Sequence, residues 1–196
     1  VAVTFTDVDL NDIGHAATVT AVAVTGETGG LGLGEAELIA LVTPGVVTKD
    51  AGSADGSVDL TFVAGSSVFD YLAAGESVTL TYELSVDDGD NGVATQSFTV
   101  TITGTNDAPV IDAIAGTELD EQTDTADLTA TVAVTFTDVD LNDIGHEATV
   151  TAVAVTGETG GLGLGESELI ALVTPGVVTK DVGSAAGSVD LTFVAG

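Results

Sequence analysis

The sequence has no cysteine, methionine or tryptophan, and its only lysine or arginine residues are Lys49 and Lys180. Without cysteine there are no disulfides to staple an extracellular domain, and metal ions become the natural substitute. Two cations against 31 acidic residues leave a net charge of −29. A phosphate backbone is repelled by such a chain, so nucleic acid is excluded as a partner. No apolar run approaches the length that crosses a bilayer, so membrane insertion is not expected. No secretory leader is visible, as expected of a window taken from within a longer chain.

What is present points to a folded protein. Hydrophobic residues make up 44% of the chain and mean hydropathy is +0.47, too apolar for a disordered acidic segment. Charge repulsion must then be offset by bound cations or by salt. Internal repetition is the strongest signal. The stretch VAVTFTDVDLNDIGH at Val1 returns at Val132, an interval of 131 residues. Residues 1–65 and 132–196 differ at four positions only, Ala16/Glu147, Ala36/Ser167, Ala51/Val182 and Asp55/Ala186. Near-identity of this kind marks a module copied within an array, and its length suits one domain.

Alternation with period two predicts strands. Val78, Leu80, Tyr82, Leu84 and Val86 share one face, with Thr79, Thr81, Glu83 and Ser85 on the other. Phe98, Val100 and Ile102 repeat the pattern, as do Val58, Leu60 and Phe62, and ATVTAVAVTG supplies another strand. GEAELIALV (34–42) and FDYLAAGE (69–76) could each form a turn or two of helix, and TGETGGLGLG reads as a loop. Short strands without helical crossovers predict an all-β fold, an antiparallel Greek-key sandwich. The turn cluster and proline of TGTNDAPV, 103–110, end a strand and open a new domain. The expected division is a first module over 1–105, lacking its opening segment, a linker at 106–107, and a second module over 108–196, lacking its closing strands. Such half-modules read as a window on an array, with completion by neighbouring chains as the alternative.

The carboxylates gather in clusters: Asp7, Asp9, Asn11 and Asp12; Asp87, Asp88, Asp90 and Asn91; Asn106 and Asp107; Asp120, Glu121, Asp124 and Asp127. An extended DVDLND would send Asp7, Asp9 and Asn11 to one face, over a buried Val8 and Leu10. Convergent hard oxygens suit Ca2+, whereas zinc would want His or Cys. The plainer reading is that Asp, Asn and Gly mark turns, but turns alone do not require so many charges at the same ends. A zinc site built on Asp12 and His15 lacks ligands at that spacing, and His15, with its copy His146, reads as a satisfied histidine at a strand start.

LTYELSVDDGDNGVATQSFTVTITGTNDAPVI, together with VTFTDVDLND in both copies and FDYLAAGESVTLTYELSV, resembles the VCBS-type, bacterial cadherin-like tandem repeat of giant RTX (biofilm-associated) adhesins. The resemblance covers nearly the whole module. It implies an immunoglobulin-like or cadherin-like sandwich, type I secretion, and calcium held at the junctions between modules. By similarity to cadherin linkers, Asn106 and Asp107 are expected to face Asp138 and Asp140, and Asp87 to join Asp7 and Asp9. Glu121 falls where the family has an acidic residue in its opening strand. A recognisable DRE motif is missing, and the insertion TGETGGLGLGEAELIALVTPGVV lies outside the resemblance.

The expected role is therefore an extracellular spacer at a bacterial cell surface, in which neighbouring identical modules of the same chain are the partners and calcium stiffens their joints. An enzyme acting on a small molecule is not expected, since cysteine and arginine are absent and the two histidines share one module position. Two alternatives stay open. One is a calcium-dependent carbohydrate- or surface-binding module, although six Phe and two Tyr on strand faces offer no sugar platform. The other is a self-assembling filament or surface layer completed by strand exchange between neighbouring chains.

Overall fold

A computed structural model describes residues 1–121 and 126–196; Asp124 of the fourth acidic cluster lies outside them. The chain divides into two compact units, Val1–Thr105 and Asn106–Gly196, so the Asn106–Asp107 linker belongs to the second. Both are all-β and antiparallel. No helix among the described residues is long and apolar enough to cross a membrane.

The first unit holds β1 (Ala2–Thr6), β2 (Ala16–Gly26), α1 (Glu35–Ala40), β3 (Val42–Pro44), β4 (Thr48–Lys49), β5 (Asp55–Phe62), β6 (Ser77–Asp87) and β7 (Val93–Thr103). One sheet runs β1-β5-β3, with β4 also on β5; the other runs β2-β6-β7. Pairing between strands distant in sequence, β1 with β5 and β2 with β6, makes the chain cross from sheet to sheet as a sandwich requires.

β6 is the spine of this unit. Val78, Leu80, Tyr82, Leu84 and Val86 are all buried, each contributing about 1.5–3 kcal/mol relative to exposure. Their neighbours on the outer face pair across strands, as where Thr79 meets Thr101 at 3.1 Å. Tyr82 stacks on Phe98 of β7 with centroids 5.3 Å apart. Its hydroxyl donates to the Leu38 carbonyl at 3.0 Å, which ties α1 to the sheet. α1 is a short helix held at its start by Glu37, whose carboxylate accepts the Gly34 N–H at 2.8 Å. Phe69–Glu76 forms turns, not helix. Glu76 there accepts the Ala73 N–H, closing a tight turn with the apolar Tyr71 and Leu72 facing inward.

The second unit holds β8 (Val110–Ile111), β9 (Leu128–Thr137), α2 (Glu166–Ile170), β10 (Val173–Pro175), β11 (Thr179–Lys180) and β12 (Ala186–Ala195). They form one sheet in the order β10-β12-β9-β8, with β11 on β12. β9 and β12 correspond to β1 and β5. The second copy of the β2 sequence, residues 147–157, forms no strand. In the first unit β2 pairs with β6 along most of its length, and the 196 residues hold no second β6 for the copy to pair with.

Candidate metal centre at the head of each repeat

DVDLND is a turn. β1 stops at Thr6, after which Asp7 Oδ1 accepts the Asp9 N–H at 2.8 Å and the Asp12 N–H reaches the Asp9 carbonyl at 3.0 Å. The same turn follows β9, where Asp138 Oδ1 accepts the Asp140 N–H at 2.9 Å. Short acidic side chains favour this geometry because they mimic a backbone carbonyl.

The expected alternation exists, but the faces are reversed. Val134, Phe136, Asp138 and Asp140 are buried in succession, while Val139 is 46% exposed. In the first copy Val8 is 88% and Leu10 46% exposed. There Asp7 is half-buried and Asp9 exposed; in the second copy the aspartates continue the inward-facing series of the strand and Val139 turns outward. Asp138 and Asp140 are thus 1% and 0% exposed, a costly placement for carboxylates unless they are paired, hydrogen-bonded or bound to a metal.

Register explains what covers them. Val110 pairs with Thr137 and Ile111 with Phe136. Three residues back from Val110 is Asp107, and three on from Thr137 is Asp140. The Asp107 N–H accordingly donates to Asp140 Oδ2 at 2.8 Å. Asp140 Oδ1 has no hydrogen-bond partner. Burial pushes the Asp140 carboxyl above its usual range; the Asp107 N–H opposes this, and the charges of Asp138, Asp107 and Asp143 add to it.

The turn is also braced from behind by the repeat's only lysine. Lys180 Nζ donates to the carbonyls of Asp140, Leu141 and Asp143 at 2.8, 3.1 and 2.7 Å. Lys49 Nζ does the same for Asp9 and Asp12 at 2.9 and 2.6 Å, and lies 3.8 Å from Asp7 Oδ2. From sequence alone these lysines have no role, and the two histidines read as satisfied residues at a strand start. The available signal was that the scarcest side chains recur at one position per repeat.

Each histidine faces the first aspartate of its turn. His146 Nε2 is 2.6 Å from Asp138 Oδ2, and His15 Nε2 is 3.1 Å from Asp7 Oδ2, the latter without hydrogen-bond geometry. Phe5 lies against the His15 ring at 4.9 Å, and Phe136 against His146 at 5.0 Å. Each phenylalanine is itself seated on a glycine. A Cβ on Gly56 would collide with the Phe5 ring, and one on Gly187 with Phe136.

Of the expected site residues, the structure brings together Asp107, Asp138 and Asp140, and joins Asp7 to Asp9 through the turn. Asn106 instead directs its side-chain amide to the Asp107 carbonyl at 2.8 Å. Asp87 is exposed and accepts the Gly89 N–H at 2.7 Å. It is Asp88, one residue on, that lines a cleft with Asp7 and His15. Hydrogen bonds from the Asp90 and Gly92 N–H groups hold the Asp88 carboxyl below its usual range. Glu121 is exposed, in a stretch without regular secondary structure.

The chain matches no model of a known protein family, and a search of curated proteins gives no match.

Proposed function

We propose that the chain is a structural spacer from a large bacterial cell-surface adhesin, a tandem array whose joints are stiffened by calcium and which supports adhesion and biofilm formation. The observation that carries this reading is the pair of buried aspartates under the linker. Asp138 and Asp140 sit at the first turn of the second unit, with Asp107 closing over them and one Asp140 oxygen unpartnered. A hard, all-oxygen donor set with an unmet negative charge fits Ca2+. Asp107, Asp138 and Asp140 are the ligands assigned from this chain; water and other oxygens complete the six to eight that calcium takes. Near-identical copying supports a spacer, because what repetition adds is length.

The mechanism is electrostatic. Without the ion, carboxylates near the joint repel and the linker bends freely; with it, the linker is pinned to the head of the following module. Extracellular modules of this kind bind calcium at about 0.1–1 mM, so the rod forms outside a cell. Small-angle scattering of the chain is expected to give a larger maximum dimension in millimolar calcium than in EDTA. An identical dimension in both would defeat the stiffening model.

A second reading, strand exchange into a filament or surface layer, is favoured by one observation. Ile111, Val134, Phe136, Val189 and Leu191 line an apolar groove in the unit that has no counterpart of β6 and β7. Native mass spectrometry separates the two, since a ladder of oligomers supports exchange and a monomer supports the spacer.

A further inference from the structure

Imidazole nitrogen is foreign to an all-oxygen calcium shell, yet each repeat places its only histidine against the acidic turn. We propose that Asp7, Asp12 and His15, and again Asp138, Asp143 and His146, form a second metal site of different chemistry, one that takes a zinc-class divalent transition metal and in the second repeat shares Asp138 with the calcium set. The inference does not rest on the spacer reading.

In both copies the three residues offer ligand atoms within 4.8 Å of one another. The cluster alone would mean little, but the histidine is not an ordinary buried histidine. The His15 side chain is 3% exposed, its Nδ1 has no hydrogen-bond partner, and the Asp7 oxygen facing its Nε2 has none either, with the Lys49 ammonium 3.8 Å away. Leaving such groups unsatisfied in the interior is costly. A cation between Nε2 and Oδ2 would give this Asp7 oxygen the partner it lacks. The 3.1 Å separation of Nε2 and Oδ2 is that of two donors each about 2.0–2.1 Å from one ion, subtending about 100°.

The surroundings hold this arrangement in place. Phe5, locked over Gly56, fixes the imidazole plane, and Phe136 over Gly187 repeats the device. Lys49 commits its ammonium to two carbonyls of the turn. The cleft shared by Asp7, His15 and Asp88 leaves room for a fourth ligand, water or the Asp88 carboxylate. Two carboxylates and one imidazole with an open position are a donor set that zinc, cobalt and nickel accept and calcium does not select. In the second copy the same pair has closed to 2.6 Å, a hydrogen-bond distance that an incoming ion must open. The first copy therefore fills first.

The test is titration of the chelator-stripped chain with zinc chloride, in millimolar calcium to saturate oxygen sites. Saturable uptake of about two zinc ions per chain in the micromolar range is expected, one for each histidine-bearing donor set. His15→Gln is expected to remove the tighter and His146→Gln the weaker, each by a tenfold loss of affinity or more. Long-range nitrogen-detected NMR of the unaltered protein reads the same event without substitution, as a shift of both Nε2 resonances on adding zinc. No saturable uptake, uptake unchanged when both histidines are replaced, or unmoved imidazole resonances would each overturn the proposal and leave a plain aspartate–imidazole contact. Scattering in calcium is read separately on the same samples, so failure of the calcium joint and failure of the zinc site are distinguishable.

Discussion

The two copies place nearly one sequence in two settings, and they differ where the settings differ. The β1–β5 ladder and its counterpart β9–β12 form in both, because each strand finds its partner within the repeated sequence. β2 has no such autonomy. In the first copy it pairs with β6, whereas its second copy is not a strand and leaves Val153 and Val155 37% and 46% exposed. At the acidic turn the contrast is reversed, and the second copy is the more ordered. There β8 and Asp107 close over the turn, Asp140 is 0% exposed, and the lysine gathers three carbonyls where Lys49 gathers two. One sheet of the sandwich is thus local to the repeat, while the second sheet and the closure of the acidic turn depend on what precedes and follows it.

Four experiments would break or sharpen that comparison. Leu80→Ala, which hollows the centre of β6, is expected to cost the first unit about 2–5 kcal/mol. It should make β2 lose its amide protection, and a β2 that stays protected by hydrogen exchange would show it to be independent of β6. Lys180→Met is expected to cost the second unit about 1–3 kcal/mol by stranding three carbonyls. The loss should exceed that of Lys49→Met, measured by the separate calorimetric transitions of the two units.

Calcium at 10 mM is expected to stabilise the second unit by about 1.4–2.7 kcal/mol, given binding at about 0.1–1 mM. Asp140→Asn should remove most of that gain, and an equal effect on the first unit would erase the distinction made by the linker. The smallest effect concerns pH in calcium-free buffer. The Asp140 carboxyl titrates above its unfolded value, so its charged form opposes folding at neutral pH, and that penalty is relieved as pH falls through the folded pKa. Asp88 is shifted the other way; its contribution is present above the unfolded pKa and is lost as pH falls through the lower, folded one. The melting temperature of the second unit is therefore expected to fall less on mild acidification than that of the first, a difference that Asp140→Asn should diminish.

Much of this was legible in advance. The β6 face from Val78 to Val86 is buried as its alternation required, because a strand with one apolar face admits only one register against a core. The turn was harder. Asp138, Val139 and Asp140 alternate as expected, yet a pattern of period two gives the faces without saying which is inside, and burying the valine was the natural assumption. Only the β8 register revealed that the linker roofs the aspartates. The same ambiguity touches Asp87 and Asp88, since one residue at a strand end exchanges the faces, and it is Asp88 that lines the cleft with Asp7 and His15. The Phe69–Glu76 stretch has helical composition, but a tight turn closed by Glu76 brings Leu72 to 1% exposure. Lys49 acts through residues far away in sequence, and spacing does not encode that.

The half-buried lysines carry one further consequence. Digestive and bacterial proteases of the trypsin type need an accessible lysine or arginine side chain to fill their specificity pocket. This chain offers them Lys49, whose side chain is 1% exposed, and Lys180, whose ammonium is held by three carbonyls. Folded, the repeat gives such an enzyme almost nothing to grip, so the cation that organises the turn also keeps the chain's two tryptic sites out of reach.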